Sequence, residues 1–164
     1  MKIGIMGGTF NPIHNAHLLI AEMAREEYGL DRVIFITDGN PPHKSANVTA
    51  KQRFEMTHIA IADNSAFEED DFEINRSEKS YTVNTLGYLK EKYPNDDLFF
   101  IIGEDSLNDF DKWYKPDKIL EMCSLLVFPR KSLKSLTETI KAVKEKMNGR
   151  IFPVSAPVFR ISST

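Results

Sequence analysis

The sequence holds one cysteine, Cys123, and one tryptophan, Trp113, among 164 residues. A lone thiol cannot close an internal disulfide, which excludes a disulfide-stapled secreted module and makes a reducing compartment, the cytoplasm, the expected location. No charged-then-apolar leader opens the chain, and no apolar run approaches the roughly 20 residues that a membrane-spanning helix needs. Basic excess is missing as well. The formal net charge of −3 gives no field to hold a long polyanion, so nucleic acid is not expected as a partner and small phosphorylated ligands fit better. Repeats, low-complexity tracts and linkers are absent. What is present, 41% apolar and 27% charged residues, is the make-up of one globular domain with a real core. The sequence leaves a homo-oligomer open.

Apolar strand candidates alternate with amphipathic helices. Ile3-Gly4-Ile5-Met6 is followed by a Gly-rich loop and a helix from Ala16 to Tyr28 with Leu19, Ile20 and Met23 on one side. Val33 to Ile36 reads as a second strand, followed by a loop from Asp38 to Ala50 and a helix over Lys51 to Ala62 carrying Phe54, Ile59 and Ile61. A weaker strand is expected at Phe72-Glu73-Ile74, then a helix from Val83 to Lys92 that tolerates Gly87. Leu98–Ile102 and Leu125–Phe128 read as buried strands, and a Lys-rich helix from Leu133 to Met147 leads to a last short strand at Ile151–Val154. Crossover helices are what connect parallel strands, so the pattern predicts an α/β fold: a Rossmann-like, doubly wound parallel sheet in a three-layer α/β/α domain. Ligands in such sheets gather at the carboxyl ends of the strands. The loops after Met6, Ile36, Ile102 and Phe128 are therefore expected to share one crevice.

The loop from Gly7 to His17 carries the strongest chemical signal. Gly7 and Gly8 let backbone approach a ligand closely, and the helix that follows offers unpaired N–H groups to an anion. The spacing matches neither a Walker loop nor the Gly-x-Gly-x-x-Gly dinucleotide fingerprint. His14 and His17, three apart at a helix start, share a face and can donate hydrogen bonds to adjacent phosphates, gathering charge that develops in a transition state. A cap or packing role for the pair is the plainer alternative. Metal ligation is weaker, since the pair brings two ligands and no third accompanies them.

Gly7-Gly8-Thr9-Phe10-Asn11-Pro12-Ile13-His14-Asn15-Ala16-His17 resembles the signature loop of the nucleotidyltransferase α/β phosphodiesterase superfamily, with Asn11 where many members have Asp. Further segments are similar in order to the nicotinate mononucleotide adenylyltransferase family: Pro41-Pro42-His43-Lys44, Ser80-Tyr81-Thr82-Val83-x-Thr85-Leu86, Gly103-x-Asp105, Trp113-Tyr114 and the closing Ile161-Ser162-Ser163-Thr164. The resemblance implies transfer of AMP from ATP to nicotinate mononucleotide, with Mg²⁺ carried by ATP rather than caged by the protein.

Lys44, on a loop stiffened by two prolines, can bring positive charge to converging phosphates, and His43 beside it is divided evenly between loop packing and ligand contact. His58, inside a helix, reads as structural. Thr85 is either a plain helix-start residue or, by the resemblance, a contact for the nicotinate end. Trp113 is either a core anchor or, by the resemblance, a stacking face for the pyridine ring, with Tyr114 beside it. Asp105 either accepts from ribose and helps arrange the metal-bound phosphate or caps the next helix, and Arg130 either reaches phosphates or lies on the surface. The family pattern thus assigns His14, His17 and Lys44 to catalysis. Gly7, Gly8, Thr9, Phe10, Gly103, Asp105, Arg130, Ser162, Ser163 and Thr164 join the two histidines at ATP, while Thr9, Lys44, Thr85, Trp113 and Tyr114 meet the mononucleotide. Since the last motif stops at Thr164, before its Ile and Arg and the helix they begin, weakened ATP binding is expected. The rival readings are a phosphopantetheine-type adenylyltransferase, a non-catalytic nucleotide-binding module and, more distantly, a hydrolytic metalloenzyme.

Overall fold

The computed structural model describes residues 1–10, 12–39, 49–76 and 81–156. Its centre is β1 (Lys2–Gly8), whose register sets Ile5 against Ile34 of β2 (Arg32–Thr37) on one side and against Phe100 of β4 (Asp97–Gly103) on the other. β3 (Phe67–Asp70) extends the sheet beyond β2, while β5 (Ser124–Phe128) and β6 (Ile151–Pro153) extend it beyond β4. The order is β3-β2-β1-β4-β5-β6 and every pairing is parallel. The chain therefore winds outward from β1 in one direction, returns, and winds outward in the other. The predicted doubly wound sheet is borne out, and its switch point lies between β1 and β4.

Period-two alternation divides the strand residues between two cores. Ile3, Ile5, Ile34, Ile36, Leu125 and Val127 join one cluster with α3 (Thr82–Lys92), α4 (Glu104–Asn108), α5 (Pro116–Met122) and α6 (Leu133–Lys146). Met6, Val33, Phe35, Ile101 and Leu126 join the other with α1 (Asn15–Tyr28) and α2 (Ala50–Ile61). Both faces of each central strand are covered, which is why these strands read as continuous apolar runs. Val154 and Ala156 carry the chain past β6 onto the α1 face, where Ser155 donates its N–H to Glu27 at 2.7 Å. Cys123 is buried and its thiol is pushed up to about 12 by desolvation, which leaves it chemically inert.

Three expectations need correction. The third strand is Phe67–Asp70, not Phe72-Glu73-Ile74, which forms a turn. The Asp70 carboxylate accepts the N–H of Phe72 at 2.9 Å and so turns the chain out of the sheet. As an edge strand, β3 tolerates the charged sequence Phe-Glu-Glu-Asp that hides it from an apolar-run search. The inward side of α2 is Arg53, Thr57 and Ile61, whereas Ile59 is 74% exposed. In α1 the buried residues are Ile20, Ala21 and Ala24, with Leu19 facing outward. Small side chains there let the helix lie close to the sheet.

Candidate active site

Gly7 and Gly8 end β1 at the carboxyl edge of the sheet. Just beyond them Phe10 adopts a left-handed backbone (φ 48°) and folds its ring back beneath Gly8, where an added Cβ would stand 3.1 Å from the ring. Gly8 thus permits a close approach between backbone and ring. The Phe10 ring is buried against Phe35 and meets His17 edge-on, with centroids 5.4 Å apart.

His14 is the N-cap of α1 and His17 lies one turn in. The backbone N–H of His14 donates to Nδ1 of His17 at 3.0 Å, so Nδ1 is an acceptor and the proton of the neutral ring sits on Nε2. Burial, and secondarily the neighbouring His14, lower the His17 pKa to about 4. At neutral pH His17 is consequently a neutral hydrogen-bond donor whose orientation the helix cap fixes. The His14 ring stacks on it at a centroid distance of 5.6 Å from an exposed position. The cap alternative and the ligand alternative are therefore compatible: one nitrogen of His17 caps while the other remains available.

A crevice of about 380 Å³ opens over the carboxyl ends of β1, β4 and β5. Gly7, Gly8, Thr9, Phe10, Pro12 and His17 form one wall, Gly103 to Ser106 lie at the middle, Phe128, Pro129 and Arg130 stand opposite, and Phe100 and Trp113 complete the lining. This volume lies within the range of small-molecule sites. Gly103 makes a close approach, since a Cβ there would reach the Phe128 ring at 3.0 Å. Of the loop expected to join from β2, residues 40–48 lie outside the described residues, and Thr37 to Gly39 are not part of this lining.

Glu104, the middle residue of Gly103-x-Asp105, is 6% exposed. Its carboxylate accepts the backbone N–H of Arg130 at 3.1 Å and the hydroxyl of Thr139 at 2.9 Å, with the Ser135 hydroxyl at 3.4 Å. The loop after β5 is thereby tied to the start of α4. Asp105 and Arg130 face each other across the crevice rim, Arg130 Nη1 to Asp105 Oδ1 at 3.2 Å, both largely exposed. A pair so open to water contributes little stability, leaving the guanidinium exchangeable for a ligand oxygen.

On the other wall, Arg53 of α2 is 2% exposed and donates from Nη1 to the carbonyl of Thr9 at 2.6 Å. Arg53 and Glu104 are the two site-supporting residues that sequence reasoning missed. Their signal was a charged residue at a helix position that a sheet-packed face should fill with an apolar one.

Of the remaining candidates, Trp113 is half-buried, with its ring on Phe110 (4.9 Å) and Phe100 (6.1 Å), so it is a core anchor and a crevice wall at once. Thr85 does not line the crevice. It is 5% exposed, its hydroxyl donates to Glu73 at 2.7 Å and its N–H to the Tyr81 carbonyl at 3.3 Å, so both polar groups are engaged inside the protein. Tyr114 also stands outside the crevice lining, half exposed, with its ring 4.7 Å from that of Tyr81. His58 is a surface residue paired with Glu69 at 2.9 Å. Asn11, His43, Lys44, Ser162, Ser163 and Thr164 lie outside the described residues.

A glycine loop running into a histidine-capped helix at a parallel-sheet switch point finds its match in one family model, described as cytidylyltransferase-like, over residues 5–164. The chain belongs to the cytidylyltransferase-like family. Within it, a protein of Citrifermentans bemidjiense described as "Probable nicotinate-nucleotide adenylyltransferase" is 48% identical over 85% of this chain and 67% of its own length. A Pelobacter propionicus protein with the same description is 44% identical over all of this chain and 77% of its own. Among solved structures, Plasmodium falciparum nicotinic acid mononucleotide adenylyltransferase complexed with NaAD superposes with a TM-score of 0.79 at 22% identity, covering 99% of this chain and 80% of that one. The same enzyme complexed with APC gives 0.76 at 21% identity. At those identities the likeness shows the fold, and the two complexes carry the doubly wound architecture of this cytidylyltransferase-like chain.

Proposed function

We propose that this chain is a nicotinate-nucleotide adenylyltransferase, moving the adenylyl group of ATP to nicotinate mononucleotide in the biosynthesis of NAD. A phosphate oxygen of the mononucleotide attacks the α-phosphorus of ATP in line. The new P–O bond forms as the bond to the β-phosphate's bridging oxygen breaks, and pyrophosphate leaves with the electron pair. The attacking phosphate is already ionised near neutral pH, since its second pKa is about 6, so no general base is required. Catalysis then consists of holding two phosphates together and stabilising the charge that shifts to the leaving group.

The observation that carries this reading is the pre-oriented Nε2–H of His17 in a crevice that also holds the Gly7–Phe10 backbone and, opposite, Arg130. Donors fixed before the substrate arrives need no reorganisation during reaction. Trp113 offers an aromatic wall for the pyridine ring, and Lys44 adds cationic charge in the proposed assignment. Among the described residues no cluster of three His, Cys, Asp or Glu side chains could cage a metal. ATP is taken as its Mg²⁺ complex, and Asp105, at the crevice rim, is the carboxylate that would stand near such an ion. No helix among the described residues is long and apolar enough to cross a membrane.

Pyrophosphate release should be measured with nicotinate mononucleotide, nicotinamide mononucleotide and phosphopantetheine as acceptors. Turnover with the first well above the others is expected. Preference for phosphopantetheine would reassign the enzyme within the superfamily, and ATP binding without turnover on any acceptor would replace the enzyme by a binding module. His14→Ala and His17→Ala should each lower kcat about 100-fold or more, the usual effect of removing a transition-state donor. Near-normal turnover in both would sink the roles given to the pair.

A further inference from the structure

Arg53 is the one buried guanidinium on the inward face of α2, and among the described residues no carboxylate pairs with it. Its Nε has no hydrogen-bond partner there, and neither do the hydroxyls of Thr37 and Thr57. Asp38 is the acid whose charge acts on it. A buried cation left so incompletely matched is costly to fold around, and its one strong contact is the Thr9 carbonyl at 2.6 Å. The neighbouring Gly8 carbonyl is also held from the β2 side, accepting the N–H of Asp38 at 2.9 Å. In a planar trans peptide the carbonyl and the following N–H point in opposite directions. Anchoring the oxygens of Gly8 and Thr9 toward β2 and α2 therefore turns the N–H groups of Thr9 and Phe10 away from them, on a stretch whose residues line the crevice.

We propose that Arg53 is a positioning residue of the adenylyl-transfer site: through the Thr9 carbonyl it aims the Phe10 N–H, and places a buried positive charge behind the loop that receives the ATP phosphates. The inference rests on the adenylyltransferase reading for its substrate but on the Arg53–Thr9 contact for its geometry. Phe10 has a left-handed backbone, a conformation its side chain does not favour, and the Arg53 clamp on the preceding peptide holds it there.

ATP binding by calorimetry and turnover with nicotinate mononucleotide should be compared in the wild type, Arg53→Met, Arg53→Gln and Arg53→Lys, with urea unfolding to measure the folded fraction of each. Replacing an ill-matched buried ion by an apolar residue of similar length often leaves stability unchanged or improved, so Arg53→Met is expected to fold. Its ATP affinity should nevertheless drop about ten-fold or more, the worth of a charge-assisted hydrogen bond. kcat should fall with it, and Arg53→Lys should recover part of both. If Arg53→Met does not fold, Arg53→Gln serves the same comparison. ATP affinity within about two-fold of wild type in the folded neutral variant would overturn the proposal, as would activity losses that merely track the unfolded fraction. Should the wild type turn over no acceptor at all, the adenylyltransferase reading fails while the ATP titrations still decide the role of Arg53.

Discussion

Acidification from neutral pH should destabilise the protein through His17, and His17→Asn should remove that part of the loss. The imidazole titrates at 6.5 when free but near 4 in the fold, because burial and the adjacent His14 oppose its charge. Between those values the unfolded chain takes up a proton that the folded one refuses. Stability is therefore full above pH 6.5 and declines as the pH falls toward 4. The interval, 6.5 less 4, at about 1.4 kcal/mol per pH unit, sets a ceiling of about 3.5 kcal/mol. One side of the ring faces the open crevice, where water screens it, and about 1–2 kcal/mol is the expected effect. Asn retains an oxygen to accept the His14 N–H and does not titrate, so the cap survives. Urea unfolding of both proteins at pH 7 and at about pH 4.5 gives the difference directly: the wild-type advantage should shrink by that amount at the lower pH. An advantage that is the same at both pH values, or a His17 ring whose NMR titration midpoint lies near 6.5, would refute the burial argument.

Glu104→Ala strands the Arg130 N–H and the Thr139 hydroxyl, and should cost about 2–3 kcal/mol in urea unfolding. In the folded fraction it should raise the KM for ATP more than that for the mononucleotide, because Arg130 is the crevice residue it holds. Gly39→Ala would drive a Cβ into the Glu73 carbonyl oxygen, a clash with backbone that no rotamer relieves. A loss of about 3 kcal/mol is expected by chemical denaturation, and an unchanged midpoint would contradict the close approach. Trp113→Ala should raise the KM for the mononucleotide more than that for ATP while lowering stability by about 2 kcal/mol through lost contact with Phe110 and Phe100. Equal shifts in both KM values would confine Trp113 to the core.

The parts of this molecule that the sequence made legible are those whose cause is local. A strand buried on both faces must be apolar along its length, so Leu98–Ile102 announced itself, and a glycine pair before a histidine-started helix says what the loop between them can bind. The parts that escaped have their cause elsewhere in the chain. β3 is acidic because the sheet ends there, and that edge exists only once Phe67 has paired with Val33. Arg53 looks like one more solvated helix charge until the carbonyl of Thr9, 44 residues earlier, is brought to its guanidinium. Glu104 likewise finds the donors to its carboxylate 26 and 35 residues further on. Thr85 shows the converse. Its place at a helix start suggested a ligand contact, yet Glu73, on a turn that sequence reading took for a strand, accepts its hydroxyl. The candidate site was thus recognisable by its first wall, while the supports behind the walls were not.

The division of labour within the His17 ring has an evolutionary consequence. Its Nδ1 begins a helix and its Nε2, under the proposed function, donates to the ligand, and the two duties can be lost separately in one direction only. A side chain such as Asn can inherit the cap without the donor, so the scaffold can discard its chemistry in one substitution and go on folding. The reverse order is closed, because a ring that abandons the cap loses the orientation on which its other nitrogen depends. Lineages built on this loop should accordingly shed catalysis more readily than architecture, leaving well-folded descendants that keep the crevice and put it to other use.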